Sequence, residues 1–95
     1  MIKIRIAIVG CGRISKNHFD SIYAHQNNIE LISICEVNQK KLNEYEKEFD
    51  VKGYSNLEDM LESEKLDLVA ICTPSGIHAS QTEMCAKYGV NVITE

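Results

Sequence analysis

A chain of 95 residues has material for one modest core, because folding at this size buries only about 60 to 70 per cent of the surface the unfolded chain exposes. Its composition, 44% hydrophobic, 25% charged and 6% aromatic, is that of an ordinary globular protein and excludes the fibrous, disordered and membrane-spanning classes. The net charge is −4 and the basic residues are scattered, which argues against a nucleic-acid or anionic-membrane surface and leaves any phosphate ligand to be met by local geometry.

In chain order, Lys3 to Val9 (K-I-R-I-A-I-V) is a short β-branched run ending at glycines, as expected of a strand buried on both faces. Ile8-Val9-Gly10-Cys11 resembles a lipoprotein cleavage box, but the run is too short for a signal core and Arg13 closes it with a charge. The expected location is therefore cytoplasmic. Arg13 to His25 then reads as a helix, with Ile14, His18, Ile22 and His25 on one stripe and Phe19 and Tyr23 beside it. Glu30 to Cys35 is a second strand, followed by Asn38 as N-cap of a charged helix over Gln39 to Phe49. Gly53 breaks the pattern, although Val51 to Ser55 has room for a short third strand. Asn56 with Asp59 three positions on starts a helix to about Ser63. Asp67 to Cys72 is a fourth strand stopped by Thr73-Pro74, and a helix from about Ile77 to Tyr88 ends at Gly89. Val90 to Thr94 is a fifth strand.

Strands alternating with helices of this length imply βαβ units, and right-handed crossovers favour a parallel sheet of order 3-2-1-4-5. The fold class is α/β of Rossmann type, with residues 1–95 forming the N-terminal part of a dinucleotide-binding domain.

The strongest chemical signal is Gly10-Cys11-Gly12-Arg13-Ile14-Ser15, a G-x-G-x-x-S variant of the dinucleotide fingerprint. Gly10 permits a tight turn, and Gly12 lets backbone approach a pyrophosphate at the positive end of the following helix. Glu36 stands 24 positions after Gly12 at the end of the second strand, where a carboxylate accepts the hydroxyls of an adenosine ribose and repels a 2′-phosphate. NAD is thus expected ahead of NADP. Arg13 is either a guanidinium over the pyrophosphate, the favoured reading, or a solvated first-turn residue, and Lys40 and Lys41 read as a solvated face that would otherwise suit a 2′-phosphate. Thr73-Pro74-Ser75-Gly76-Ile77-His78 leaves the fourth strand at the switch point of the sheet, with Thr73 and Ser75 offering hydroxyls to the nicotinamide ribose. His78 is either a polar contact at a helix start or a water-facing residue, and His18 and His25 are structural. Cys11, Cys35, Cys72 and Cys85 lack paired metal spacing and read as reduced, though the first three fall at strand ends along one sheet edge.

These residues together resemble the amino-terminal half of the Gfo/Idh/MocA oxidoreductases: G-C-G-R-I-S with His18 three later, I-C-E-V-N, T-P-S-G-I-H-A-S-Q and G-V-N-V-I-T-E. The likeness covers essentially the whole chain. Within that family the T-P-S-G-x-H stretch, Gln81 and the His18-Phe19 pair look most like the UDP-N-acetylglucosaminuronate 3-dehydrogenases of surface-polysaccharide (lipopolysaccharide) synthesis. The resemblance implies a Rossmann domain followed by an α+β substrate domain that mediates homo-oligomers, and hydride transfer between a sugar-like carbon and NAD or NADP. It implies that Gly10, Gly12, Arg13 and Ile14 form the phosphate loop, Glu36 is the ribose acid, Thr73, Pro74, Ser75 and His78 lie on the nicotinamide side, and Glu95 opens the E-K-P motif. The lysine of that motif and the proton-transferring residues would follow Glu95, so residues 1–95 are expected to bind cofactor without turnover. A free-standing NAD-responsive regulatory module is the alternative. A methyltransferase, which usually carries a carboxylate just before the glycines, fits Ile8-Val9 poorly.

Overall fold

The computed structural model describes residues 3–10, 12, 15–73 and 75–94, with the backbone alone at Ser15 and Ser75. The elements run β1 (Ile4–Val9), α1 (Ser15–Ala24), β2 (Ile29–Cys35), α2 (Gln39–Phe49), β3 (Lys52–Tyr54), α3 (Leu57–Ser63), β4 (Leu68–Ile71), one 3-10 turn (Ser75–Ile77), α4 (His78–Lys87) and β5 (Asn91–Thr94). All neighbouring strands pair in parallel, in the order β3-β2-β1-β4-β5. The expected topology is the observed one, and the expected element ends differ by a residue or so.

Being central, β1 is covered on both faces and its alternate side chains serve two cores. Ile6 and Ile8 pack with Phe19, Ile22, Ile34, Leu42 and Ala70 on the side of α1 and α2. Ala7 and Val9 pack with Met60, Leu61, Val69, Ile71 and Cys85 on the side of α3 and α4. This explains the continuous apolar run, because a strand with no solvent face has no reason to alternate. On α1 the buried residues are Phe19 and Ile22, whereas His25 lies past the helix and is exposed. Phe19 stacks on Phe49 at 4.1 Å and on Tyr45 at 5.4 Å, so the aromatic residues placed beside the expected stripe in fact join α1 to α2.

The caps read from the sequence are made. Asn38 accepts from Lys41 N–H at 3.1 Å, and Asn56 accepts from Asp59 N–H at 3.1 Å. Past α4, Gly89 takes φ +72°, its N–H donates to Ala86 and that of Val90 to Cys85, the paired hydrogen bonds of a Schellman ending. That use of Val90 delays β5 to Asn91. Asp67 likewise stays outside β4, where its carboxylate accepts from Arg5 N–H at 2.9 Å.

The short third strand expected within Val51 to Ser55 is β3, with Gly53 at its centre, and a Cβ there would stand 2.6 Å from Leu42 and 2.7 Å from the Glu46 side chain. The glycine serves the close approach of α2 to the strand, and its N–H donates to Glu46 at 2.9 Å.

Candidate functional site

The strands end together at the carboxyl edge of the sheet. Gly10 N–H donates to the Cys35 carbonyl at 2.8 Å and Cys72 N–H to the Val9 carbonyl at 2.7 Å, which fixes the loops after β1, β2 and β4 side by side. Gly10 sits at φ +87°, and a Cβ on it would lie 2.8 Å from Thr73 Cγ2 and 2.9 Å from Thr73 N. Both its backbone conformation and its contact with the β4 loop therefore require glycine. Gly12 is a different case. Among the described residues a Cβ there meets nothing within 4 Å, so the absent side chain leaves open space ahead of α1 rather than relieving a clash with them.

That space belongs to a cavity of about 540 Å³, within the size range of small-molecule sites. Gly10 and Gly12 line its middle; Glu36, Val37 and Lys41 line one side, and Thr73, Ile77 and Gln81 the other. The division follows from the topology, since β2 and β4 flank β1. Glu36 is half-buried and held at the turn into α2, where Oε2 accepts from Asn38 N–H at 2.8 Å and the Glu36 N–H donates to the Tyr54 carbonyl at 2.9 Å. Its neighbour Val37 is 85% exposed within the same wall, an apolar surface beside a carboxylate. Of the two lysines named from the sequence, Lys41 reaches the cavity lining and Lys40 does not.

On the opposite side, the Thr73 hydroxyl donates to Gln81 Oε1 at 2.5 Å. His78 Nε2 donates to the Thr73 carbonyl. His78 is therefore not the water-facing helix residue that was one of its two readings; it tethers the loop from which Thr73 projects. The hydroxyl proton expected to face a ribose is taken by Gln81, a site residue the sequence singled out only within a resembling motif. Of the other expected contacts, Arg13, Ile14, Pro74 and Glu95 lie outside the described residues, as does the side chain of Ser75.

The cysteines do share the carboxyl edge as read, but they part across the sheet. Cys35 packs on the α3/α4 side and Cys72 against the α1/α2 side, and Cys11 lies outside the described residues. Among the described residues no three His, Cys, Asp or Glu side chains converge as a metal site. Burial, and then the charge of Glu36, push the Cys35 thiol up to about 11, so it is protonated and unreactive at neutral pH. Among the described residues no helix is long and apolar enough to cross a membrane.

A parallel sheet whose central strand runs into a glycine turn and a helix, with an acid at the end of the next strand and the cavity at the switch point, is a Rossmann-type dinucleotide-binding unit. Its family follows from comparison: residues 4–95 match the oxidoreductase family Gfo/Idh/MocA, described as an NAD-binding Rossmann fold. The chain belongs to that family. The WlbA dehydrogenase of Bordetella pertussis, solved in complex with NADH and UDP-GlcNAcA, is 40% identical and superposes with a TM-score of 0.94 over 98% of this chain and 28% of that one. The scyllo-inositol dehydrogenase of Lactobacillus casei, solved with NAD(H) and scyllo-inositol, is 31% identical with a TM-score of 0.88 over 98% of this chain and 28% of that one. The D-glucoside 3-dehydrogenase of Escherichia coli K12 is 28% identical over 93 residues, 97% of this chain and 26% of that protein. The chain thus spans a little over a quarter of the length of these relatives.

Proposed function

We propose that the chain binds NAD in preference to NADP across the carboxyl edge of its sheet, as the cofactor half of a dehydrogenase acting on a nucleotide-sugar acid of the UDP-N-acetylglucosaminuronate type. The observation that carries the reading is the open space at Gly12 between Glu36 and Thr73 in one continuous cavity. A Cβ would fill that space, and a pyrophosphate set there lies at the start of a helix, where backbone N–H groups favour an anion. Glu36 would accept the ribose hydroxyls of the adenosine, and the same charge disfavours a 2′-phosphate. When bound, NAD supplies a hydride acceptor at its nicotinamide ring. Arg13, Ile14, Pro74, Ser75, His78 and Glu95 complete the proposed contacts, His78 through the loop it tethers.

The substrate class rests on the 40% identity to the B. pertussis enzyme solved with UDP-GlcNAcA. A place in surface-polysaccharide synthesis, a cytoplasmic location and a homo-oligomer belong to the same reading. Residues 1–95 alone are expected to bind without chemistry. Among the described residues lining the Thr73 side of the cavity there is no carboxylate, imidazole or lysine to exchange a proton with a sugar hydroxyl. Purified protein given NAD and UDP-N-acetylglucosaminuronate tests both halves of the reading. Saturable NAD binding with no NADH formed supports it; turnover by residues 1–95, or failure to bind NAD, contradicts it.

A further inference from the structure

The carboxylate in the cavity wall is aimed by a residue that does not itself line the cavity. Asn38 makes three contacts at the entry to α2. Its N–H donates to Glu36 Oε2 at 2.8 Å, and its side-chain oxygen accepts from Lys41 N–H at 3.1 Å. Its carbonyl accepts from Leu42 N–H at 3.0 Å, and Leu42 is buried in the core. Support therefore runs from the core, through the first turn of α2, to the carboxylate.

That first turn depends on its cap. Gln39, Lys40 and Lys41 put two positive charges and no acid at the positive end of the helix, an arrangement the dipole disfavours. The Asn38 side chain offsets this by satisfying one of the open N–H groups, and the Glu36 carboxylate, held just ahead of the turn, adds the opposite charge. Without the cap the turn frays, and the donor that fixes Glu36 moves with it.

We propose that Asn38 is a specificity-determining positioning residue: by capping α2 it holds Glu36 in register with the cavity and so sets the preference for NAD over NADP. The inference rests on the reading of Glu36 as the ribose acid and deepens it by naming what aims that acid. A loosened carboxylate grips the ribose hydroxyls less well, whereas NADP gains nothing from Glu36 that it could lose.

A cap with a merely structural role would lower the melting temperature and weaken both cofactors alike, so the ratio of NADPH to NADH dissociation constants is the readout. Each cofactor is titrated into wild type, Asn38→Ala, Asn38→Ser, Glu36→Ala and the Glu36→Ala/Asn38→Ala double variant. Asn38→Ala should lower the ratio about fivefold, the binding equivalent of one lost cap. Serine caps as well as asparagine and adds no charge, so Asn38→Ser should keep the wild-type ratio within about twofold. With Glu36 already replaced, Asn38→Ala should change the ratio by less than about twofold, because the residue acts through that carboxylate. An unchanged ratio in Asn38→Ala, or an equal fall in Asn38→Ser, overturns the proposal; where Glu36→Ala still abolishes the preference, the reading of Glu36 survives. A wild-type protein with no preference for NADH overturns both.

Discussion

The two glycines of the turn do different work, and alanine substitutions separate them. At Gly10 alanine would hold an L side chain at φ +87° and place its methyl carbon 2.8 Å from Thr73 Cγ2 and 2.9 Å from Thr73 N. Backbone strain of about 1 to 3 kcal/mol and overpacking of about 1 to 3 kcal/mol give a combined loss of roughly 2 to 6 kcal/mol. Against a total stability of about 5 to 15 kcal/mol that is a large fraction. For a chain of this size it lowers the melting temperature by roughly 8 °C or more. At Gly12 alanine meets nothing within 4 Å among the described residues, so stability should move by no more than about 0.5 kcal/mol. Its methyl nevertheless enters the space assigned to pyrophosphate and should separate it from at least one charge-assisted N–H, a loss of about 1.5 to 3 kcal/mol or more than tenfold in NADH affinity. Thermal unfolding by circular dichroism and NADH titration, run on both variants, give the comparison. If Gly12→Ala melts as early as Gly10→Ala, or binds NADH as tightly as wild type, the reasoning about the turn is refuted.

Two further predictions concern the core. Ser33 is fully buried at the irregularity of the β1–β2 pairing, and its hydroxyl has no hydrogen-bond partner among the described residues; Ser33→Ala should therefore raise stability by about 1 kcal/mol in a urea titration, and a fall would show that the hydroxyl is satisfied. The thiol of Cys35, raised from 9.0 to about 11, is more easily ionised unfolded than folded, so the stability it contributes is fully present below pH 9 and is lost as pH rises through 9 to 11. Cys35→Ala should flatten that decline in denaturation curves measured across the window, and an unchanged slope would assign it to other groups.

Most of the architecture was legible because its signals are local. The β-branched runs, Asn38 and Asn56 as caps, and Gly89 as the helix stop each act over a few residues, and parallel connectivity leaves few ways to order five strands. What was not legible depends on residues far apart in sequence. Gly53 was placed within a short third strand, but nothing near it in sequence announces that Leu42 and Glu46 crowd it and require a glycine. Phe19 and Tyr23 seemed peripheral to α1 until α2 supplied Tyr45 and Phe49 to stack against. At the site, Gly10, Gly12 and Glu36 carry a spacing signal, whereas Gln81 is eight positions beyond the hydroxyl it engages and becomes a site residue only once the 3-10 turn folds α4 back over the loop. His78 was visible as a polar residue at a helix start, but its carbonyl partner was not.

The side of the cavity lined by Glu36 decides which cofactor is bound, and one experiment reaches it: NADH and NADPH titrated separately into wild type and Glu36→Ala, followed by nicotinamide fluorescence. Wild type should bind NADH more tightly than NADPH, and Glu36→Ala should lose that preference, with Lys41 in the same wall available to the 2′-phosphate. Tighter binding of NADPH by wild type, or the same preference in both proteins, would contradict the assignment of Glu36 as the ribose-reading acid.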